Sequence, residues 1–384
     1  MDKQKILFLM RNMKAGSEIV LVNLLNRMDT EKYEVYLLTQ KEGNTLLPRI
    51  KPEIIILYSD DLNSKLLLWD DVRACKLRSV VAGLYNRILI RLTKDSFRRE
   101  VYAARSHLLL DEEFDAAIAF KPMEIPYALY QFSAKKHIVW FHSEMIESNP
   151  YLITPFFLEE LARFDRIFCV SPEIKKQLDR LSDKIRERTE IFYNLQNVEE
   201  IRRKAILPAP EIKSGQTVLL TVGRVSPEKG IDRIPEVARK LKDEGYHFHW
   251  YVVGDGPQSD IQKLLERYHV SAYVTLLGYR ENPYSYMQRC DIYVQPSRFE
   301  GYCGTTAEAK ILCKPIITTD VSGSRAQFES GINGLIVKSD IESLYQGVKE
   351  LLDHPALREK FMDALSREIC DNYEEMKKLY STLT

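Results

Sequence analysis

Glu300 and Glu308 stand eight positions apart in the stretch EGYCGTTAE. On one continuous helix they would lie roughly 80° apart and two turns away from each other. Gly301 and Gly304 argue against that, because glycine favours a tight turn just before a helix begins. The expected arrangement puts Glu300 on the loop after a strand at Asp291 to Gln295, with Gly304, Thr305 and Thr306 opening a helix and Glu308 just inside it. Backbone N–H groups at such a helix start point at an anion, and a carboxylate on either side can accept hydrogen bonds from vicinal hydroxyls. A phosphate flanked by two polyols fits this pattern, and a sugar nucleotide has that shape.

A second charged turn lies upstream in TVGRVSPEKGIDRI. A strand ends at Val222, Gly223 starts the turn, and Arg224 and Lys229 flank a loop leading to a helix at Ile231. Two cations beside a glycine turn suit a diphosphate, Arg offering a fork and Lys a point charge. By itself such a turn is equally a solvated loop, since short charged turns are common. Its combination with the two glutamates makes it a candidate site.

These residues need elements to hold them. Apolar runs at Ile6 to Met10, Val35 to Thr39, Ile54 to Leu57, Ala116 to Phe120, Ile138 to Phe141 and Ile167 to Val170 read as buried strands. A second series runs through Val218 to Val222, His249 to Val253, Val274 to Leu277, Ile292 to Gln295, Ile316 to Thr319 and Leu335 to Val337. Both are nearly continuous in apolar character, as parallel strands covered on both faces should be. Helical patterns, among them Ile231 to Asp243 and Ile261 to Tyr268, alternate with them. Alternation of this kind, occurring twice in 384 residues, predicts two doubly wound α/β domains. The expected boundaries are an N-terminal domain over 1–206, a linker at 207–216 (LPAPEIKSGQ), a C-terminal domain over 217–365, and a terminal helix at 366–384 packing back on the first domain. Ligands of such sheets bind at the carboxyl ends of the strands, so a cleft between two facing domains is expected.

Composition narrows the function. Net charge is zero, which counts against nucleic acid as the main partner. The apolar run near the start is too short for a signal-peptide core, and no later window approaches a membrane span, so a cytoplasmic location is expected. The six cysteines include no C-x-x-C pair, so neither a disulfide framework nor a zinc site is indicated. His247 and His249 alternate on one strand face, but no third metal ligand is evident. The segment from Arg73 to Arg105 carries nine Arg and Lys residues interleaved with apolar ones, against only Asp95 and Glu100. Two readings stand for it: a basic amphipathic helix on an anionic membrane surface at the inner face of the plasma membrane, or a solvated basic helix with its apolar side in the core.

GRVSPEKG, VVGDGP, LLGYRENPYSYMQRCDIYVQPSRFEGYCGTTAEAKILCKPIITTD and SGINGLIV together resemble the family-4 retaining glycosyltransferases (glycosyl transferases group 1) of the GT-B fold. MKAGSE, VWFHSE, FCVSPEIKKQL and IFYNLQNVEEIRRKA extend the resemblance more loosely through the first half. It implies an α/β fold of two Rossmann-like domains facing across a cleft, the second holding the nucleotide sugar and the first the acceptor. Arg224 and Lys229 would bind the donor diphosphate and stabilise the leaving nucleotide. Glu300, with the amides of Gly301, Tyr302, Cys303 and Gly304 and with Thr305 beside them, would hold the donor sugar, and Glu308 would bind the ribose. Gly223 would shape the diphosphate turn, while Gly278, Tyr279 and Arg280 would offer backbone atoms to the base. Gly16 would let the first domain's backbone approach the phosphates, and His142 would sit near the transferred sugar. His142 is otherwise a histidine satisfied by a neighbouring loop; Glu18 and Asn194 match family positions but equally suit a helix start and a hinge.

Two departures stand out. Cys303 occupies a position where the family usually has glycine, and Ala15 replaces the first glycine of the usual pair. The resemblance further implies a uridine donor base, no cofactor and no metal, and, with the basic segment, a glycan or lipid-linked acceptor in capsule, lipopolysaccharide or related polysaccharide synthesis. A catalytically silent sugar-nucleotide scaffold keeps all of these residues without turnover. A nicotinamide oxidoreductase would require a G-x-G-x-x-G after a strand, and none occurs.

Overall fold

A computed structural model describes residues 3–11, 13, 16–41, 44–59, 89, 93, 95–105, 112–143, 154–213 and 215–384. The chain forms two compact units, residues 1–195 with 373–384, and residues 196–372.

Unit 1 is built on β1 (Gln4–Leu9), β2 (Tyr33–Thr39), β3 (Ile55–Tyr58), β4 (Glu113–Ala119), β5 (Ser133–Phe141), β6 (Arg166–Cys169) and β7 (Thr189–Ile191). The seven strands are parallel in the order β3-β2-β1-β4-β5-β6-β7. β7 is the strand that hydrophobic pattern misses. It has three residues, TEI, of which only Thr189 is buried, because it is the edge strand. The inner strands are apolar throughout, and their large side chains interlock: Trp140 packs against Phe168 and Phe192 at 4.5 and 5.1 Å between ring centroids.

The terminal helix Glu375–Leu383 belongs to unit 1 and buries Met376, Leu379 and Leu383 against it. Tyr380 stacks on Tyr33 at 5.4 Å, and its hydroxyl accepts from the Asp29 amide. Of the basic segment at 73–105, the helix Ser96–Arg105 is described. It buries Phe97, Val101 and Ala104, spaced one helical face apart, and sets Phe97 edge-on to Phe157 at 4.9 Å. The rest of that segment, apart from residues 89, 93 and 95, lies outside the described residues, as does Ala15. Among the described residues no helix is long and apolar enough to cross a membrane.

Unit 2 carries β8 (Thr217–Val222), β9 (Phe248–Val253), β10 (Val274–Gly278), β11 (Ile292–Gln295), β12 (Ile316–Thr319) and β13 (Leu335–Val337). They are again parallel, in the order β10-β9-β8-β11-β12-β13. One face packs on helices Ile234–Asp243 and Ile341–Asp353 around Trp250 and Leu344, and the other on helices Val198–Ala205 and Gly304–Ile311 around Tyr293 and Tyr251. The chain enters unit 2 at Gln196, ahead of the Pro-rich stretch at 207–216. Helix Val198–Ala205 is capped by Asn197 and buries Ile201 and Ala205 in the unit 2 core. The prolines that read as a linker therefore follow this helix on unit 2's surface.

Both sheets reverse strand order once, between β1 and β4 in unit 1 and between β8 and β11 in unit 2. At such a point the loops leaving neighbouring strands diverge to opposite faces and open a crevice at the carboxyl ends.

Candidate donor site in unit 2

The crevice of unit 2 is lined by the loop after β8, which carries Gly223, Arg224 and Lys229, and by the loop after β11, which carries Glu300 to Gly304. The first loop is a single 3₁₀ turn, Pro227–Lys229, ended by Gly230 in the left-handed conformation at φ 65°. A side chain at Gly230 would bring its Cβ to 2.1 Å from the Pro296 carbonyl oxygen, so only glycine lets this loop dock against the end of β11. The expected helix start at Ile231 is a further 3₁₀ turn, Ile231–Arg233, before the α-helix begins at Ile234. The two loops are stitched together. Arg298 forms a fork to Asp232 at 2.6 and 2.7 Å, and its backbone amide donates to the Glu228 carbonyl at 2.7 Å.

This docking brings Lys229 Nζ to 2.7 Å from Glu300 Oε1. Only 21% of the lysine side chain and 7% of the glutamate side chain are exposed. Burial works against the Lys229 ammonium, but the Glu300 charge and hydrogen bond outweigh it and hold the lysine above its ordinary value. The site therefore contains a fixed cation at neutral pH.

Beneath the pair runs a buried polar chain that the sequence reading missed. Ser297 Oγ donates to Glu300 Oε1 at 2.8 Å, Gln295 Nε2 donates to Ser297 Oγ at 2.9 Å, and the Tyr293 hydroxyl donates to Gln295 Oε1 at 2.9 Å. Thr305, in the first turn of helix Gly304–Ile311, also donates to Gln295 Oε1, at 3.2 Å. The missed signal was periodicity: Tyr293, Gln295 and Ser297 alternate with Ile292, Val294 and Pro296 in and just beyond a strand otherwise buried and apolar. Polar groups recurring every second residue there must find partners in the interior.

Cys303 precedes the helix with φ 61°. That left-handed backbone accounts for the glycine usual at this position. The thiol is buried, and burial and the nearby Glu300 charge push it up to about 11, which makes it a packing group rather than a nucleophile. The Tyr302 and Cys303 carbonyls are both held by the Gln327 amide, and the Glu300 carbonyl accepts from Gly323 N at 3.1 Å and Ser322 Oγ at 2.6 Å. Gly301 is buried and Tyr302 half-buried in this turn. The amides of Gly304, Thr305 and Thr306 open the helix and have no acceptor within it. Glu308 lies in the second turn, buried, with the Tyr284 hydroxyl donating to it at 3.2 Å.

The remaining expected residues lie nearer the surface or hold neighbours. Arg224 is 68% exposed and pairs with Glu228 at 3.1 Å at the rim. Tyr279 is exposed, and the Gly278 carbonyl accepts from Gly254 N at 2.9 Å, so that carbonyl is spent on holding the GDGP turn. The Arg280 guanidinium grips Glu211 at 3.0 Å and the Tyr286 hydroxyl at 3.1 Å, pointing it at the 207–216 stretch. His249 hydrogen-bonds Thr275 at 2.8 Å.

In unit 1, Gly16 caps helix Ser17–Arg27 at φ 83°, and the buried Glu18 in that helix pairs with Lys121 at 2.7 Å. His142 follows β5, with its ring tilted at 47° against Phe120 at 4.6 Å between centroids and within reach of Asn194. Burial and the neighbouring Lys121 push its imidazole down to about 3, so it is neutral and can both donate and accept.

The sheet order is that of a Rossmann-type unit, and its crevice holds a buried cation close to a helix start, chemistry that suits an anion. Residues 202–366, most of unit 2, match the family Glycosyl transferases group 1. Among curated proteins it is similar to alpha-D-kanosaminyltransferase of Streptomyces kanamyceticus, 24% identical over 290 residues, 69% of this chain and 72% of that one. It is also similar to N-acetylgalactosamine-N,N'-diacetylbacillosaminyl-diphospho-undecaprenol 4-alpha-N-acetylgalactosaminyltransferase of Campylobacter jejuni, 30% identical over 178 residues, 46% of this chain and 47% of that one. In three dimensions it resembles Anabaena Alr3699/HepE, crystallised with UDP, with a TM-score of 0.71 over 99% of both chains at 16% identity. The two parallel-sheet units are therefore those of the GT-B glycosyltransferase fold.

Proposed function

We propose that the protein is a retaining glycosyltransferase that moves a sugar from a nucleoside-diphosphate sugar to a hydroxyl of a glycan or lipid-linked acceptor. The observation that carries this reading is the Lys229–Glu300 pair at the mouth of the β8/β11 crevice, beside the start of helix Gly304–Ile311. In the reaction the bond from the anomeric carbon to the diphosphate oxygen breaks, and negative charge collects on the departing nucleotide. Lys229, the rim cation Arg224 and the helix-start amides meet that charge. The reading requires no metal to do so. Glu300 orients the donor sugar through its hydroxyls, and Glu308 accepts from the ribose. The acceptor oxygen bonds to the anomeric carbon on the face the nucleotide leaves, and its proton passes to a donor phosphate oxygen. Neutral His142 suits hydrogen bonding to sugar hydroxyls.

Uridine is the proposed base, a reading supported by the UDP held by the Anabaena neighbour. The Campylobacter relative is named for an undecaprenol-linked substrate, which supports a lipid-linked acceptor in polysaccharide assembly. Attachment to the inner face of a membrane through 73–105 rests on charge alone, and indifference of the protein to anionic vesicles at low salt would remove it.

The test is thermal unfolding with UDP, GDP, CMP and NAD, on the wild type and on Lys229→Ala. Ligand at a hundred times its dissociation constant adds about 2.7 kcal/mol, a shift of several degrees. A UDP shift abolished in Lys229→Ala is expected. No shift with any uridine or guanosine nucleotide overturns the reading, and a shift with NAD alone favours an oxidoreductase. Release of UDP from a UDP-sugar then separates an enzyme from a silent binder.

A further inference from the structure

We infer that Ser297, held by Gln295 and Tyr293, is a positioning residue that sets which oxygen of Glu300 meets the donor sugar. The inference rests on the donor-site reading above. Glu300 Oε1 receives two donors, Lys229 Nζ at 2.7 Å and Ser297 Oγ at 2.8 Å. A carboxylate oxygen offers two lone pairs, so these two bonds use its acceptor capacity. Glu300 Oε2 is the oxygen left to accept from a ligand hydroxyl. The carboxylate's orientation is thus set within the protein, before any ligand arrives.

Neither donor alone would fix the carboxylate plane. Lys229 carries three equivalent protons on a flexible stem, so its bond tolerates rotation of Glu300 about the last side-chain torsion. Ser297 has one proton and a fully buried side chain. Its hydroxyl accepts from Gln295 Nε2, which leaves that proton for Glu300. Gln295, also fully buried, is locked in one amide orientation because its Oε1 accepts from both Tyr293 and Thr305. Thr305 belongs to the first turn of helix Gly304–Ile311. The relay therefore ties the Glu300 carboxylate to the helix start that meets the phosphate, and holds two parts of the donor site in fixed register.

The test is a double-mutant cycle on donor turnover with Ser297→Ala and Glu300→Gln, in the full-length protein. Ser297→Ala is expected to lower kcat by about 10-fold or more, the equivalent of one hydrogen bond to a charged group, with KM for the donor moving less. In the Glu300→Gln background the same change should cost less than about 2-fold. Ser297→Thr, which keeps the hydroxyl, should restore most of the loss. An undiminished effect of Ser297→Ala in Glu300→Gln would overturn the relay. A readout that needs no turnover is the crystal structure of Ser297→Ala, in which the Glu300 carboxylate should rotate or split into two orientations. A carboxylate unmoved there also overturns the relay, whatever the activity. Failure of the wild type to bind UDP would instead overturn the donor-site reading and leave the crystallographic result to stand alone.

Discussion

Replacing Lys229 by methionine keeps the side-chain stem and removes the charge, so it isolates the ion pair from its packing. Glu300 would then sit with 7% of its side chain exposed and only Ser297 donating to it. Breaking a fully buried pair costs about 3–5 kcal/mol because the remaining charge is stranded. Here the lysine keeps about a fifth of its surface in water and one donor survives on the carboxylate. The expected loss is therefore smaller, about 2 kcal/mol, or roughly 4–8 °C for a unit of this size. Calorimetry of the ligand-free protein at pH 7.5 should show it as a fall in unfolding temperature. The pH dependence follows from the raised lysine value. A cation whose folded pKa lies above its unfolded one stabilises fully below about 10.5 and loses that contribution as pH climbs through the folded value. The gap between wild type and Lys229→Met should hold constant from pH 7 to 10 and narrow only above that. Glu300→Met in the same chain should recover part of the stability, since an apolar pair can replace an ionic one. A Lys229→Met variant within 0.5 kcal/mol of wild type, by the ~1 kcal/mol standard of exposed pairs, would refute the buried pairing.

Three further outcomes are expected. Cys303→Gly should stay within about 1 kcal/mol of wild type in urea unfolding, since relief of the left-handed backbone offsets the lost packing, whereas Cys303→Val should cost about 2 kcal/mol by forcing a β-branched side chain to positive φ. His142 ring protons should not titrate by NMR between pH 8 and 5. Because the folded imidazole is depressed to about 3, acidification below about 6.5 should destabilise wild-type unit 1 by up to 1.4 kcal/mol per pH unit, and His142→Gln should flatten that slope. Arg224→Ala should leave the ligand-free unfolding temperature unchanged within 1 °C, yet weaken UDP binding by an amount that fades with added salt, since Arg224 is an exposed cation paired only at the rim.

The strands that build both sheets are legible because burial on two faces leaves nearly unbroken apolar runs, and twelve of the thirteen described strands carry one. β7 is not, because its three residues, TEI, include one apolar side chain, whereas β13, an edge strand of the same length, reads LIV. The boundary between the units escapes local pattern for a related reason. Prolines at 208 and 210 mark irregular chain, and that is why 207–216 reads as a linker. Whether irregular chain crosses between units or lies along one depends on contacts such as Glu211 to Arg280, which no local pattern carries. At the site, Glu300 and the helix start at Gly304 are readable from glycine spacing, since that spacing is itself the cause of the turn. The commitment of Arg280 to Glu211 and Tyr286 is not, because a lone arginine in a loop looks the same whether it awaits a ligand or holds a neighbour.

The two units solve the same electrostatic problem in the same way. In each, a carboxylate lies in the crevice where strand order reverses, Glu18 beside β1 and Glu300 beyond β11. Glu18 sits in the first turn of its helix, and Glu300 four residues before one. Helix starts favour negative charge, which lowers the cost of burying each carboxylate. In each, a lysine from the loop across the crevice, Lys121 after β4 and Lys229 after β8, meets the carboxylate at 2.7 Å. The pairing neutralises the carboxylate without using the lysine's capacity, because an ammonium has three protons and the carboxylate takes one. The exposed Arg224 likewise keeps guanidinium N–H groups beyond its one bond to Glu228, so the two cations differ in burial rather than in donor capacity. That difference separates a cation built into the fold from one recruited at the rim, and it is why removing Lys229 should cost stability and removing Arg224 should not.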